Sequence, residues 1–154
     1  MVDLDELIVP RHPDDKTWTD MIQRTDCDPD ITAYGGRHLL YSLPPNKTET
    51  NHTGLHMLNR LERSDYIMKY PDRGKFISIS NITKGLYTVH SAGSKTCVMP
   101  IEIGANHHYR NSPINDLKNT KWILDDNILK YSKILQQRVA ETVKAINGKQ
   151  LLSW

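Results

Sequence analysis

The feature that most constrains the fold is an apolar stripe near the C-terminus. Apolar side chains recur there every three or four positions: Ile128, Tyr131, Leu135, Val139, Val143 and Ile146. This spacing is typical of a helix with one face on a core. Asp125 and Asp126 suit the positive N-terminal end of such a helix, and Gly148 suits its C-terminal cap. We therefore predict a long amphipathic helix over residues 125–147.

Upstream of this helix, short apolar segments alternate with turns. Residues 1–13 are expected to form an extended arm, since Pro10 and Pro13 interrupt any helix. The periodicity predicts helices from Asp14 or Asp15 to Arg24 and over residues 53–68, and strands over residues 37–43, 75–80, 85–91, 95–103 and 121–124. Short loops between the middle strands favour an antiparallel meander. We predict one α+β domain over residues 1–154: a small antiparallel sheet, a short ββα element and the long C-terminal helix.

Composition narrows the class of protein. The chain is 38% hydrophobic and 25% charged, which is ordinary for a folded domain. No apolar run reaches the roughly 18 residues that span a bilayer, so no membrane association is expected. The N-terminus is acidic, unlike a signal peptide, and a cytoplasmic location follows as an expectation. Cys27 and Cys97 are far apart, which favours reduced thiols over a disulfide framework.

The net charge of +2 conceals an asymmetry. Residues 1–50 form an acidic N-terminal part with a net charge of −5, whereas residues 51–154 form a basic body with +7. Lysine and arginine release counterions from phosphates, so a basic body suits a polyanion such as DNA. A solvated lysine-rich surface has the same composition, and both interpretations stay open.

Two further patterns have the spacing of metal sites. Asp26, Asp28 and Asp30 alternate as in a calcium loop, but the glycine and the distal Glu of such a loop are missing. His52 and His56 stand four residues apart, as two zinc ligands on a helix do, without a third ligand nearby. Surface and capping roles are the expected ones for both sets.

The strongest candidate for chemistry lies within residues 97–146. A strand is predicted to end at Ile103, and Asn106 and His107 follow; a loop, a short strand and the start of the last helix come next. This order could place an Asn106 oxygen beside an Asn127 oxygen, with a metal ion between them. Neutral His107 could then accept a proton from water, since its ordinary pKa lies close to neutrality.

Over these residues the chain resembles the HNH, or ββα-metal, endonucleases of phages and introns. The resemblance rests on Asn106-His107, on the run from Asn119 to Ile123, and on the run from Asp126 to Ile128. It implies that His107 is the general base, that Asn119 orients it, and that Asn106 and Asn127 bind Mg²⁺ or a similar divalent metal. It further implies cleavage or nicking of DNA, with phosphates held by basic residues nearby: Lys118, Lys121, Lys130, Lys133 and Arg110.

Two other functions remain open. The chain could be a non-catalytic viral or phage assembly or regulatory protein that binds nucleic acid, or a protein partner through its C-terminal helix. The series Arg37, Ser78, Ser80 and Glu102 also resembles the Arg, Ser-x-Ser and Glu order of ADP-ribosyltransferases. In that chemistry, Arg and Ser hold the nicotinamide nucleotide and Glu stabilises the reacting ribose.

Overall fold

The computed structural model describes residues 5–42, 55–79, 90, 92, 95–110 and 120–148. Within them the fold is α+β, as predicted. Its elements in chain order are β1 (Glu6–Pro10), α1 (Trp18–Arg24), β2 (Ala33–Ser42), α2 (His56–Asn59), β3 (Glu62–Met68), β4 (Lys75–Ser78), β5 (Thr96–Val98), β6 (Gly104–Arg110), β7 (Trp122–Leu124), a 3₁₀ helix (Asn127–Tyr131) and α3 (Ser132–Gly148).

The strands form a mixed sheet in which β2 is central. The main order is β1-β6-β2-β3-β7. The second half of β2 pairs with β6 in parallel and with β3 in antiparallel fashion. Its first half pairs with β4 in antiparallel and β5 in parallel fashion. Both edges of β2 are therefore covered along most of its length.

The burial of β2 explains why it organises the core. Leu39, Leu40 and Tyr41 are all at most 1% exposed, as expected for a strand covered on both faces. Leu39 and Tyr41 pack with Ala105 and Tyr109 of β6 in one apolar cluster. Two further clusters are formed by Ile8, Met21 and Met99, and by Val9, Leu58 and Ile128.

Helix α1 ends at Arg24 as predicted, but its cap lies later than predicted. Thr17 accepts a hydrogen bond from the backbone N–H of Asp20, and the Asp20 side chain accepts one from the Thr17 backbone. This reciprocal capping box satisfies two N–H groups that the first turn leaves unpaired. Asp15, expected as a possible cap, is instead buried and accepts three hydrogen bonds from Arg24.

The helix predicted over residues 53–68 is wrong beyond its first turn. Among residues 55–68, the helix is limited to α2, and Glu62–Met68 form β3. The apolar spacing is real, because Leu55, Leu58 and Leu61 contact one apolar cluster. However, the free edge of β2 offers backbone hydrogen bonds to the following residues, and this tertiary pairing overrides a local periodicity.

The antiparallel meander is also corrected. β4 and β5 flank β2 rather than each other, and β5 runs parallel to it. The strand predicted over residues 95–103 is interrupted at Pro100, whose carbonyl accepts hydrogen bonds from the N–H groups of Ile103 and Gly104. A new strand, β6, begins after this turn. The strand predicted over residues 85–91 lies outside the described residues except for His90.

The C-terminal helix is confirmed, but its α-helical part begins at Ser132 after the 3₁₀ helix. Tyr131 and Leu135 pack against the cluster around Ile128. The rest of the predicted stripe faces outward: Val139 is 40% exposed and Val143 48%. Within the described residues, no helix is both long enough and apolar enough to cross a membrane.

The prediction of reduced thiols is wrong for this structure. Cys27, which follows α1, forms a disulfide with Cys97 of β5, and the two Cα atoms are 6.0 Å apart. The paired cysteines are 70 residues apart in the chain, so sequence spacing gave no sign of the bond. The cross-link ties the loop after α1 to the strand beside the first half of β2.

Replacing both cysteines with serine is expected to lower the free energy of unfolding by up to about 4 kcal/mol, because the disulfide restricts a long loop in the unfolded chain. Urea unfolding with and without a thiol reductant measures this. The reductant should lower the midpoint of the wild type only. Two alkylatable thiols in the denatured, unreduced wild type would contradict the bond.

Candidate functional site

The residues predicted to be catalytic lie on β6, not in a loop after a strand. Successive side chains of a strand point to opposite faces. Accordingly, Asn106 Nδ2 lies 3.5 Å from Glu6 Oε1, whereas His107 Nε2 lies 2.9 Å from Arg11 Nη1. The predicted metal ligand and the predicted base are thus in two different clusters, one on each face of the sheet.

The first cluster brings together Glu6 of β1, His38 of β2 and His108 of β6. These three strands are neighbours, with Glu6 directly opposite His108. The Nδ1 atom of His108 lies 2.8 Å from His38 Nε2 and 3.4 Å from Glu6 Oε1. One ligand atom from each residue lies within 4.8 Å of the others. This Glu/His/His group could hold a metal ion.

The surroundings of His108 fit such a role. Its Nε2 atom lies 3.1 Å from Asp5 Oδ2. Metal-binding histidines commonly donate their second N–H to a carboxylate, which fixes the tautomer and leaves the other nitrogen for the metal. Ligands at 2.0–2.1 Å in a tetrahedral site are about 3.3 Å apart. The 3.4 Å separation between His108 Nδ1 and Glu6 Oε1 is close to that value, whereas the 2.8 Å separation from His38 Nε2 is a hydrogen-bond distance and would widen on metal binding.

His38 is held in the neutral form. Burial is the largest cause that lowers the pKa of His38 to about 3, and electrostatic interactions with His108, Arg73, His90 and Lys75 add to it. A metal ion binds the unprotonated nitrogen of an imidazole. The electrostatics of the cluster therefore disfavour the one protonation state of His38 that would exclude a metal.

Glu6 also contacts a buried lysine. Lys75 Nζ lies 2.8 Å from Glu6 Oε2, and their side chains are 1% and 3% exposed. Lys75 reaches this position from β4, where it pairs with Gly36 of β2. The contact has the distance of an ion pair, but Oε2 has no aligned hydrogen-bond donor among the described residues. The charge of Lys75 thus offsets the charge of the Glu6 carboxylate, and Oε2 can still accept a hydrogen bond.

The cluster opens on a cavity of about 450 Å³, a size typical of small-ligand pockets. Its lining consists of charged and imidazole side chains: Asp5, Glu6, Arg73, His90, His108 and Arg110. Within the described part of the chain, neither arginine has an ion-pair partner. Arg73 has φ = 52° at the third position of the turn from Pro71 to Gly74, where glycine or asparagine is usual. The cavity therefore combines a metal-ligand group with two available guanidinium groups.

The second cluster, on the opposite face, is built around buried Asp125. Arg11 donates two hydrogen bonds to this carboxylate, at 3.2 and 2.8 Å, and Arg63 donates a third at 2.6 Å. Burial alone raises the pKa of Asp125, but the hydrogen bonds and charges of Arg11 and Arg63 outweigh it and hold the pKa at about 2. Asp125 therefore joins β1 and β3 to the start of the 3₁₀ helix.

His107 belongs to this second cluster. It is 0% exposed and is stacked on Tyr41, with ring centroids 4.7 Å apart. Its Nε2 faces Arg11, which can only donate, and its Nδ1 lies 3.1 Å from the Tyr109 hydroxyl. Burial, and next the charge of Arg11, lower the pKa of His107 well below its ordinary value. These contacts fix the ring within the core.

Asn127 is also tied to this side of the molecule. Its Nδ2 atom donates a 2.7 Å hydrogen bond to the carbonyl of Arg11. Asn106, by contrast, is fully buried beside Glu6. In the sheet, β6 and β7 are separated by β2 and β3, so the two strands of the predicted ββα element do not pair.

The residues predicted to bind nucleic acid are spread over the surface. Lys121, Lys130 and Lys133 are exposed, and Lys130 Nζ donates to the carbonyl of His12. Arg110 lines the cavity of the first cluster. Lys118 and Asn119 lie outside the described residues, as do Ser80 and His52. Arg37 and Ser78 are exposed on β2 and β4, and Glu102 is exposed in the turn before β6.

Sequence reasoning did not find the Glu/His/His group. Its three residues lie on β1, β2 and β6, and Glu6 precedes the middle of β6 by 100 residues. No spacing motif connects residues that are so far apart. The pair His107-His108 was one available signal. On a strand, adjacent side chains point to opposite faces. If His107 faces the core on one side of the sheet, His108 must therefore face the other side.

Replacing Asp125 with Asn is expected to lower the free energy of unfolding by about 3–5 kcal/mol, since it leaves Arg11 and Arg63 buried without a full counter-charge. Because the folded pKa of Asp125 lies below its ordinary value, its contribution is present above about pH 4 and is lost as the pH falls through about 2. Urea unfolding between pH 7 and pH 2 measures both effects. The neighbouring exposed Asp126→Asn variant is the matched control, and equal losses in both variants would contradict the role of Asp125.

No protein-family model matches the chain. No curated protein matches it either. The two clusters described above are therefore the basis for any functional proposal.

Proposed function

We propose that the protein is a divalent-metal-dependent hydrolase of phosphodiesters, and that it acts as a DNA endonuclease or nickase. The metal would be held by Glu6, His38 and His108. The observation that carries the proposal is the convergence of these three ligands from neighbouring strands, where Glu6 and His108 line a cavity that also contains two arginines.

The donor set favours zinc over the magnesium expected from the sequence. Magnesium prefers oxygen ligands and water, whereas two imidazoles with one carboxylate are a common zinc set. A divalent metal at this position would polarise the phosphate and lower the pKa of a bound water. With three protein ligands, a tetrahedral ion keeps one coordination position open for that water.

Arg73 and Arg110 support a phosphate substrate. A phosphodiester has two non-bridging oxygens that share one negative charge and can accept hydrogen bonds from guanidinium groups. The net charge of residues 51–154 favours an extended polyanion. Hydrolysis forms a bond from the water oxygen to phosphorus and breaks the bond from phosphorus to one ester oxygen. The proton lost by the water ends on the departing alcohol.

This proposal gives His107 a structural role. A general base must reach the proton that it takes, and His107 is enclosed by Arg11, Tyr41 and Tyr109. Asn106 would support Glu6 through its amide rather than bind the metal. The DNA contacts of the exposed lysines stay predictions from the sequence.

His38→Ala and His108→Ala are each expected to abolish tight zinc binding, because a site with two protein ligands holds zinc weakly. Competition with a chromophoric zinc chelator measures the affinity. His56→Ala, which removes an exposed imidazole elsewhere, is the matched control. Zinc binding that persists in both site variants would refute the proposed centre.

Plasmid nicking with zinc, manganese or magnesium added tests the activity. Loss of nicking in His108→Ala together with activity in a folded His107→Gln variant supports the proposed centre. The reverse result would favour the His107 base predicted from the HNH resemblance. Absence of nicking by the zinc-loaded wild type at high concentration would exclude the nuclease.

A second function, binding of a protein partner through α3, is favoured by one observation. One face of α3 carries exposed apolar side chains, with Val139 40%, Val143 48% and Ile146 43% exposed, and exposed apolar patches of this kind often mark interaction sites. Light scattering tests whether a second copy of the chain is this partner. A mass above 17.7 kDa that falls to this value in Val139→Glu would identify it, and the monomer mass for the wild type would exclude it.

A further inference from the structure

Lys75 is an unusual neighbour for a metal ligand. Its ammonium group is buried at 2.8 Å from Glu6 Oε2, on the oxygen that does not face His108. Lysine is rarely buried unless it is paired. The two oxygens of the Glu6 carboxylate therefore have different neighbours. Oε2 faces the ammonium group of Lys75, and Oε1 faces His108 Nδ1 and the Asn106 amide.

This arrangement gives Glu6 a counter-charge before any metal binds. A buried carboxylate without a counter-charge destabilises the folded state, because it loses its hydration. Lys75 offsets this cost permanently, since both residues belong to strands of the sheet and both pair with central strands. The same ammonium group would then lie close to a bound divalent cation, where like charges repel in a poorly solvated site.

We propose that Lys75 is an internal competitor of the metal ion, which stabilises the metal-free fold and thereby lowers the affinity of the Glu6–His38–His108 site. This inference rests on the proposed metal centre. It assigns the site a reversible character: the ion is exchanged rather than required for folding. Lys75 acts through Glu6 and is a positioning and charge-setting residue rather than a metal ligand.

The test is Lys75→Met, which keeps the length of the side chain and removes its charge. Two effects of opposite direction are expected from this one substitution. The metal-free variant should unfold at a lower temperature than the wild type, because Glu6 loses its counter-charge. Its zinc affinity, measured by chelator competition, should rise at least tenfold, because the repulsion is gone. Thermal unfolding should consequently show a larger increase in Tm on addition of zinc.

Two further variants keep the test decisive if Lys75→Met folds poorly. Lys75→Arg retains the charge and should keep the low zinc affinity of the wild type. The double variant Glu6→Gln, Lys75→Met removes both charges and should recover stability without gaining affinity for zinc. The coupling of the pair follows from comparing the stability of this double variant with those of Glu6→Gln and Lys75→Met alone.

The outcomes separate this inference from the proposed function. If the wild type binds no zinc at any concentration, the metal centre fails, whatever Lys75 does to stability. If the wild type binds zinc and Lys75→Met binds it equally or more weakly, the competitor role of Lys75 is overturned while the metal centre stands. Unchanged stability of metal-free Lys75→Met would also overturn it.

Discussion

The structure depends on the pairing of β6 between β1 and β2. Six consecutive residue pairs join β6 to β2 in parallel, and five join it to β1 in antiparallel fashion. This three-strand ladder joins the first described strand, Glu6–Pro10, to Gly104–Arg110 much later in the chain. It also decides which side chains meet, since alternate residues of each strand share a face. The register of these strands therefore determines both the Glu6–His38–His108 group and the apolar cluster around Leu39 and Tyr41.

The ladder keeps two different polar clusters apart. On one face, Glu6 and His108 line a cavity beside His38, and the two arginines of that lining have no ion-pair partner among the described residues. On the other, Asp125 accepts hydrogen bonds from both Arg11 and Arg63 within the core, and His107 contacts Arg11. A buried network with paired charges fixes geometry, whereas incompletely paired groups beside a cavity are available to a ligand. We therefore place the proposed chemistry on the first face.

Sequence reasoning predicted the parts of the fold that local forces determine. The end of α1, the strand at residues 37–42, β7 and the C-terminal helix follow from caps and periodicity. The segment of β3 could not be predicted in this way, because its apolar spacing suits a helix and only the edge of β2 favours a strand. The disulfide and the Glu6–His38–His108 group bring together residues that are far apart in the chain. Their proximity is a result of topology, which no local pattern of Glu6 or His38 contains.

The long-range nature of the ladder has a consequence for biosynthesis. β1 is the first strand described, and its partner β6 follows about 100 residues later. At roughly 5–20 residues per second, a ribosome needs about 5–20 s to complete β6 after β1. Throughout that interval Ile8 and Val9 lack the strand that buries them. The nascent chain is therefore exposed to mispairing until β6 has been made. The first polar cluster needs His108, and the second forms only when translation has also passed Asp125.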